Sequence, residues 1–368
     1  MKTILILGGS GFTGRLLARH LLEHTDIKLK LAARNLDKVQ ILADRLNSEF
    51  KGRRVAATRV DAADAVSLKI ALQGTDLLLV AAPLTSAPCE TVIHTALDAC
   101  VDYLDVQIGR NKLALLQSLG EEIKNAGCCF ITEAGFHPGL PAVLVRYVAG
   151  QLDTIESAIT AGYLNMGGSK LPYTESVDEL MEVFKDYQGQ VFKNGKWTKS
   201  SSFDIRKIKF GGDIGLKNCY SMFFPEMQSL PEMYPSLKEV GFYISEMHWL
   251  VDYVITMVVM AGLWLFPRRA IRPMGKLMWW AMLNLPKPPY RVELRVDAMG
   301  RKNDQQVTLC TRVAHPDGYE LTAIPVVAAL IQVLDGTARK PGVWLMGHLV
   351  DPKRLMEDMQ TMGVEITH

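Results

Sequence analysis

Cysteine is scarce in this 368-residue chain, with six thiols (Cys89, Cys100, Cys128, Cys129, Cys219 and Cys310), no CxxC pair and no histidine at ligand spacing from them. Neither a disulfide framework nor a metal site is expected, and the thiols read as reduced and mostly buried. Net charge is also lacking: 41 Lys and Arg against 39 Asp and Glu leave +2. Such a balance offers no electrostatic footprint for nucleic acid. Nothing at the start resembles a signal peptide, because the apolar run Thr3–Leu7 ends at once in Gly8-Gly9, and a cytoplasmic location is expected. With 48% hydrophobic and 22% charged residues, disorder is excluded as a main feature. What remains is a chain too long for one ordinary core, so two domains are expected. Its mean hydropathy of +0.09 is high for an enzyme in solution.

The first 135 residues alternate between two periodicities. Short apolar runs at Thr3–Leu7, Lys28–Ala33, Arg54–Val60, Thr75–Ala82, Val101–Val106 and Cys128–Thr132 read as buried parallel strands. Between them lie helical patterns over 12–23, 36–47, 65–72, 89–100 and 111–126. Six strands joined by helices predict a Rossmann-type doubly wound parallel sheet.

The first strand-to-helix turn is Gly8-Gly9-Ser10-Gly11-Phe12-Thr13-Gly14, a GxxGxxG arrangement in place of the strict GxGxxG fingerprint. The physical need is the same: a turn without Cβ atoms, amides free to approach a pyrophosphate, and close packing of helix on strand. In this context the turn predicts dinucleotide binding. An acid for a ribose 2′-hydroxyl would follow strand two, but the strand runs into Ala33-Arg34 and no carboxylate comes before Asp37. Arg34 offers a planar fork for a 2′-phosphate, with Lys38 adding charge, so NADP(H) is preferred to NAD(H). Asp61, after strand three, is the expected contact for the adenine edge. Ala81-Ala82-Pro83, after strand four, is small enough for backbone to lie against the cofactor.

These motifs, GGSGFTG, AARN, a strand ending in AAP and the stretch Val101–Asp105, resemble the saccharopine dehydrogenase/reductase-like superfamily. The segment Glu133–Leu140 is similar to that family's Gly-x-Asp-Pro-Gly turn after strand six, with His137 where the family usually has Asp. Pro325–Leu330, Gly336, Pro341–Trp344 and Leu355–Gly363 resemble its closing elements. The resemblance implies an NADP-dependent oxidoreductase whose tail returns to the nucleotide-binding domain. The domains are then 1–137 with 318–368 for NADP, and 138–317 as an inserted α+β substrate and dimerisation domain. Ser10 and Thr13 join the glycines on the pyrophosphate, and Gly9, Phe12 and Gly135 complete the cofactor contacts. The middle of the chain shows no clear match to the lysine-pathway enzymes, so the substrate stays open: a small or lipid-like molecule with a C=O, C=N or C=C bond.

Within the insertion, Thr154–Tyr163, Gly189–Trp197, Phe203–Phe210, Tyr290–Met299 and Gln306–His315 alternate as half-exposed strands, with Asn194-Gly195 as a hairpin turn. A helix is expected over Tyr173–Asp186. Hydride transfer needs one proton donor or acceptor near the substrate. His137 is the leading candidate, being in the turn at the carboxyl end of strand six. Tyr163 and Lys170, beside the glycine loop 165–169, are the others. A short-chain dehydrogenase or epimerase is an alternative, but the one Tyr and Lys four apart, Tyr234 and Lys238, lie in a proline-broken segment. A non-catalytic NADP-binding adaptor or redox sensor is the other.

The hydrophobic excess is local. Four of six Trp and six of seventeen Met lie between Met247 and Met282. Trp249–Phe266 is broken by Asp252 into an uninterrupted run of fourteen, short of the roughly 20 residues that a membrane-spanning helix needs. Two readings follow for 249–285: a helical hairpin at a membrane surface, with Arg268, Arg269, Arg272 and Lys276 at headgroup depth, or a buried helix pair or homodimer contact.

Overall fold

The computed structural model describes residues 1–185, 189–200 and 204–368. Its elements run β1 (Thr3–Leu7), α1 (Phe12–His24), β2 (Lys28–Ala33), α2 (Leu36–Glu49), β3 (Val55–Arg59), α3 (Ala65–Leu72) and β4 (Leu77–Val80). Next come α4 (Ser86–Asp98), β5 (Asp102–Asp105), α5 (Arg110–Ser118), α6 (Gly120–Asn125) and β6 (Cys129–Thr132). The middle holds α7 (Leu140–Ala149), β7 (Thr154–Asn165), α8 (Glu175–Lys185), β8 (Gln190–Lys193), β9 (Lys196–Lys199), β10 (Ile205–Lys209) and β11 (Leu216–Met222). It continues through α9 (Pro225–Gln228), α10 (Leu230–Met233), β12 (Glu239–Ser245), a π-helical turn (Val251–Ile255), α11 (Thr256–Leu265) and α12 (Ile271–Asn284). β13 (Arg291–Lys302), β14 (Gln305–His315), α13 (Gly318–Leu334), β15 (Gly342–Leu345), α14 (Met346–Leu349), α15 (Pro352–Thr361) and β16 (Glu365–Thr367) close the chain.

The chain forms two compact units, Met1–Gly139 with Thr322–Asp351, and Leu140–Leu321 with Pro352–His368. The first carries a seven-stranded sheet in the order β15-β6-β5-β4-β1-β2-β3, parallel throughout. Every residue of β4, β5 and β6 is buried, as expected of strands covered on both faces. Leu17, Ala18, Leu21 and Leu22 turn one stripe of α1 inward. Asn35 and Asp64 cap α2 and α3 by accepting from the amides of Lys38 and Val66. Six strands were expected here. The seventh, β15, is a four-residue strand that pairs with β6 and is only half-buried over its last three residues, so its periodicity is too brief to read. The helix expected over 111–126 is broken at Leu119-Gly120 into α5 and α6.

The second unit is built on a nine-stranded sheet, β10-β11-β12-β7-β13-β14-β16, with the β8–β9 hairpin paired to β12. The Asn-Gly turn of that hairpin has both residues left-handed, Asn194 at φ 52° and Gly195 at φ 80°, the mirror-image turn that suits strand twist. The β13–β14 turn does the same without glycine, using Asn303 and Asp304 at φ 51° and 61°. Strands β11 and β12 were not anticipated. The helix expected over Tyr173–Asp186 appears as α8, and the strand expected from Phe203 as β10; Asp186 and Phe203 themselves lie outside the described residues.

The tail also departs from expectation. Residues 352–368, assigned by resemblance to the nucleotide-binding domain, belong to the second unit, where β16 pairs with β14. Glu365 of that strand meets Arg291 at 2.6 Å. A three-residue strand whose partner lies some fifty residues upstream leaves no local signal. Among the described residues, no helix is long and apolar enough to cross a membrane.

The last part of the first unit is held by one charged clamp. Arg339 donates from Nε to Asp102 Oδ2 at 2.7 Å and from Nη2 to Asp102 Oδ1 at 3.1 Å and to the Gly127 carbonyl at 2.9 Å. Asp102 Oδ1 also accepts from the Cys129 amide at 2.9 Å. Removing the cation strands a nearly buried carboxylate. Arg339→Ala should therefore lower stability by about 2 kcal/mol, read as a shift of the urea midpoint at constant slope.

Candidate cofactor and catalytic site

The glycine turn sits where strand order reverses, between β1 and β4, which is the crevice where open parallel sheets take ligands. Gly8 is left-handed at φ 87°, and a Cβ there would lie 2.7 Å from the Ala82 nitrogen. A Cβ on Gly14 would lie 2.3 Å from the Gly8 carbonyl oxygen and 2.9 Å from Gly9 Cα. At Gly8 and Gly14 the turn thus closes on the end of β4 and on itself with no room for a Cβ. This accounts for the small Ala81 and Ala82 ahead of Pro83. The amides of Gly8 and Gly9 both donate to the Ala32 carbonyl, at 2.9 and 3.2 Å, and Ala81 donates to Leu7 at 2.9 Å. Gly11 caps α1, a helix with no acid in its first turn, so its first amides are free of a competing carboxylate. Ser10 and Thr13 are half-buried beside them, and Arg15 lies over the exposed Phe12 ring at 5.0 Å. A glycine turn packed this closely against strand and helix, with a helix N-terminus beside it that no side chain caps, is what a pyrophosphate requires, so these residues fit a dinucleotide.

On the β2–β3 side, Arg34 directly follows β2 and is exposed, as is Lys38. The register Ala33↔Arg59 sets a further exposed cation, Arg59, at the same sheet end. Sequence reading missed Arg59; its only signal is a basic residue at the end of strand three. Asp61 has a local task, since its Oδ1 accepts from the Ala63 amide at 3.0 Å.

On the β4–β6 side the carboxyl ends of β5 and β6 hold a buried polar cluster that was not singled out from sequence. Asp105 accepts from Lys112 Nζ at 2.5 Å, from the Gln107 amide at 3.0 Å and from Thr132 Oγ1 at 2.9 Å. Lys112 also donates to the Gln107 carbonyl at 2.6 Å. Next to Thr132 stands Glu133, left-handed at φ 54°. Its Oε2 is buried without a hydrogen-bond partner among the described residues, as is Gln107 Oε1. Burial pushes the Glu133 carboxyl up to about 7, with Asp105 adding to the rise and Lys112 opposing it. Gly135 and Gly139 follow, and a Cβ on Gly139 would meet the Gly135 carbonyl oxygen at 2.7 Å, so this turn is as tightly self-packed as the first. His137 lies inside it against Phe136, ring centroids 4.4 Å apart. Burial lowers His137 to about 4, which keeps the imidazole neutral near pH 7.

Of the candidate residues, His137 belongs to the first unit, and Tyr163 and Lys170 to the second. Tyr163 is buried in β7, where its hydroxyl donates to the Pro289 carbonyl at 3.0 Å and accepts from Asn165 Nδ2 at 2.9 Å. Lys170 is exposed on the loop before α8. On α1, His20, Glu23 and His24 each place one ligand atom within 4.8 Å of the others, the spacing that any helix gives to positions i, i+3 and i+4.

Residues 4–128 match the family described as the saccharopine dehydrogenase NADP binding domain. Carboxynorspermidine synthase of Vibrio cholerae is 23% identical over 97% of this chain and 94% of its own length. Carboxyaminopropylagmatine dehydrogenase of Synechocystis is 24% identical over 67% of this chain and 62% of its own. Among solved structures, the apo saccharopine dehydrogenase (L-Glu forming) of Saccharomyces cerevisiae superposes over 100% of this chain and 99% of that one, with a TM-score of 0.69 and 15% identity. That likeness is one of fold.

Two outcomes test the site. Arg34→Ala should weaken NADP(H) binding at least about tenfold more than NAD(H) binding, because a fork on the 2′-phosphate serves one cofactor only. Equal losses by fluorescence titration would remove Arg34 from the site. The second concerns pH. A carboxyl raised from near 4.5 to about 7 stabilises the fold below its unfolded value, and that contribution is lost as pH rises toward 7. The buried imidazole, lowered from 6.5 to about 4, runs the other way, its contribution lost as pH falls. Relative to wild type, Glu133→Gln should gain up to about 3 kcal/mol between roughly pH 4.5 and 7. His137→Asn should gain relative stability as pH falls from about 6.5 to 4. Urea midpoints across pH read both slopes, and flat differences would contradict them.

Proposed function

We propose that this chain, whose residues 4–128 match the saccharopine dehydrogenase NADP binding domain, is an NADP(H)-dependent oxidoreductase that transfers hydride to or from a C=N bond of a small molecule. Glu133 would manage the accompanying proton. The observation that supports the cofactor half of this reading is the turn closed tightly at Gly8 and Gly14, where no Cβ fits, at the switch point of the sheet. Among C=O, C=N and C=C bonds, the C=N is favoured because the names of both curated relatives describe carboxylated amines.

Chemistry supports Glu133 over the other candidates for the proton. A group that gives up and takes back a proton near neutral pH needs a pKa close to it. Glu133 has one, at about 7, whereas His137 is held near 4. Tyr163 is raised by burial and already hydrogen-bonded through its hydroxyl. The free Oε2 of Glu133 is also an acceptor with capacity to spare, in a cluster whose other carboxylate, Asp105, is already bonded to Lys112, Gln107 and Thr132. NADPH would bind across the turn and supply the hydride; Ser10, Thr13 and the α1 amides would hold its pyrophosphate, with Arg34 and Arg59 at its 2′-phosphate.

Oxidation of NADPH should be followed with preformed imines, ketones and enoyl compounds in parallel. Imines should turn over fastest, and Glu133→Gln should lower the rate by about 10²–10⁴-fold with NADPH affinity unchanged. The pH–rate limb near 7 should vanish in that variant. Turnover of ketones or enoyl compounds alone would reassign the bond, and an unaltered Glu133→Gln rate would take the carboxyl out of the proton path.

A further inference from the structure

The π-helical turn and α11 bury one stripe, Val251, Ile255, Val259 and Leu263, against α12 and α8. The spacing of four along that stripe leaves the rest of the helix outward. What points outward is apolar: Tyr253, Met257, Trp264, Leu265 and Phe266 are exposed, with Trp264 at 80% and Met257 at 68%. Asp252, which interrupts the apolar run in sequence, does not interrupt this face. Its carboxylate folds back to accept from the Met247 amide, at 3.1 and 3.2 Å. A contiguous greasy face of this kind marks an interaction surface, since an isolated protein rarely leaves one open to water.

Charge says what it meets. No acidic residue occurs between Asp252 and Glu293, while Arg268, Arg269, Arg272 and Lys276 all fall in that interval and are exposed. The arginines begin two residues after Trp264 and Phe266 have closed the helix, an order of aromatic then cation suited to the boundary between acyl chains and headgroups. We propose that the exposed face of α11, with the basic turn that follows it, seats this protein on an anionic lipid surface, lying in the interface without crossing it. At 10 residues, α11 spans about 15 Å, half of a hydrocarbon core. A second copy of the chain is the poorer occupant. An isologous pairing sets the same patch against itself, and the charges it brings from this interval are all positive.

The test uses full-length protein floated with large unilamellar vesicles of phosphatidylcholine alone or with phosphatidylglycerol added. Wild type should float with the mixed vesicles, less with phosphatidylcholine alone, and less again at high salt. Trp264→Ser with Phe266→Ser should reduce partitioning more than about tenfold. Arg268→Gln with Arg269→Gln should remove the preference for anionic vesicles, at about fivefold for each arginine. A circular dichroism spectrum and a urea midpoint matching wild type show that each variant is folded. Wild type left at the bottom of the gradient with both vesicle types overturns the proposal, as does flotation that the Trp264/Phe266 variant leaves unchanged. A dimer in solution that this variant dissociates, with no vesicle binding by wild type, would assign the face to a second copy instead.

Discussion

The first unit depends on a steric constraint at its centre: the Gly8 carbonyl oxygen occupies space that a side chain on Gly14 would need, and Ala82 occupies the space beside Gly8. Strand, turn and helix can approach this closely only without Cβ atoms. The turn is then anchored through the Ala32 carbonyl, which receives two amides, so β1, β2 and β4 hold it from three sides. The consequence is chemical as well as structural. Close packing at Gly8 and Gly14 brings the start of α1 to the end of β1, and at a helix N-terminus an anion is favoured by both hydrogen bonding and the helix dipole.

The opposite economy operates at the ends of β5 and β6. There the fold buries charge, and most of it is neutralised: Asp105 is met by Lys112, two neighbouring residues add hydrogen bonds, and the set is self-consistent. Glu133 is the member left over. Its carboxyl has lost water without gaining a full set of partners, and desolvation alone is enough to raise its proton affinity toward neutrality. Perturbed groups of this sort cluster where function needs them. His137, four residues on, has been desolvated in the same turn, but for a base the same physics lowers proton affinity. Burial therefore moves two residues of one turn in opposite directions, an acid up and a base down.

In the second unit the extended sheet and the apolar helices solve different problems. β7, β12 and β13 form a central ribbon buried on its inner face, while α11 and α12 form a hairpin packed with α8. The hairpin is greasier than that packing uses. Its surplus is displayed on one side, and the nearest charges are of one sign. One face of this helix pair is packed as a buried pair would be, and the other is left exposed.

Much was legible from local patterning. Continuous apolar runs such as Leu77–Val80 announced covered parallel strands, GGSGFTG announced a glycine turn between strand and helix, and Asn194-Gly195 announced a hairpin. Each depends on neighbours in the chain, because periodicity and turn chemistry act over a few residues. Tertiary structure decided the rest. It brought Gly342–Leu345 beside β6 and Glu365–Thr367 beside β14, pairings of short strands with distant partners. It set Arg59 level with Ala33. It left Glu133 desolvated and Tyr163 already bonded. These are matters of burial and register between distant segments, and sequence order alone carries neither; a residue's type states what chemistry it has, and only its surroundings state whether water, a partner or neither is there to meet it.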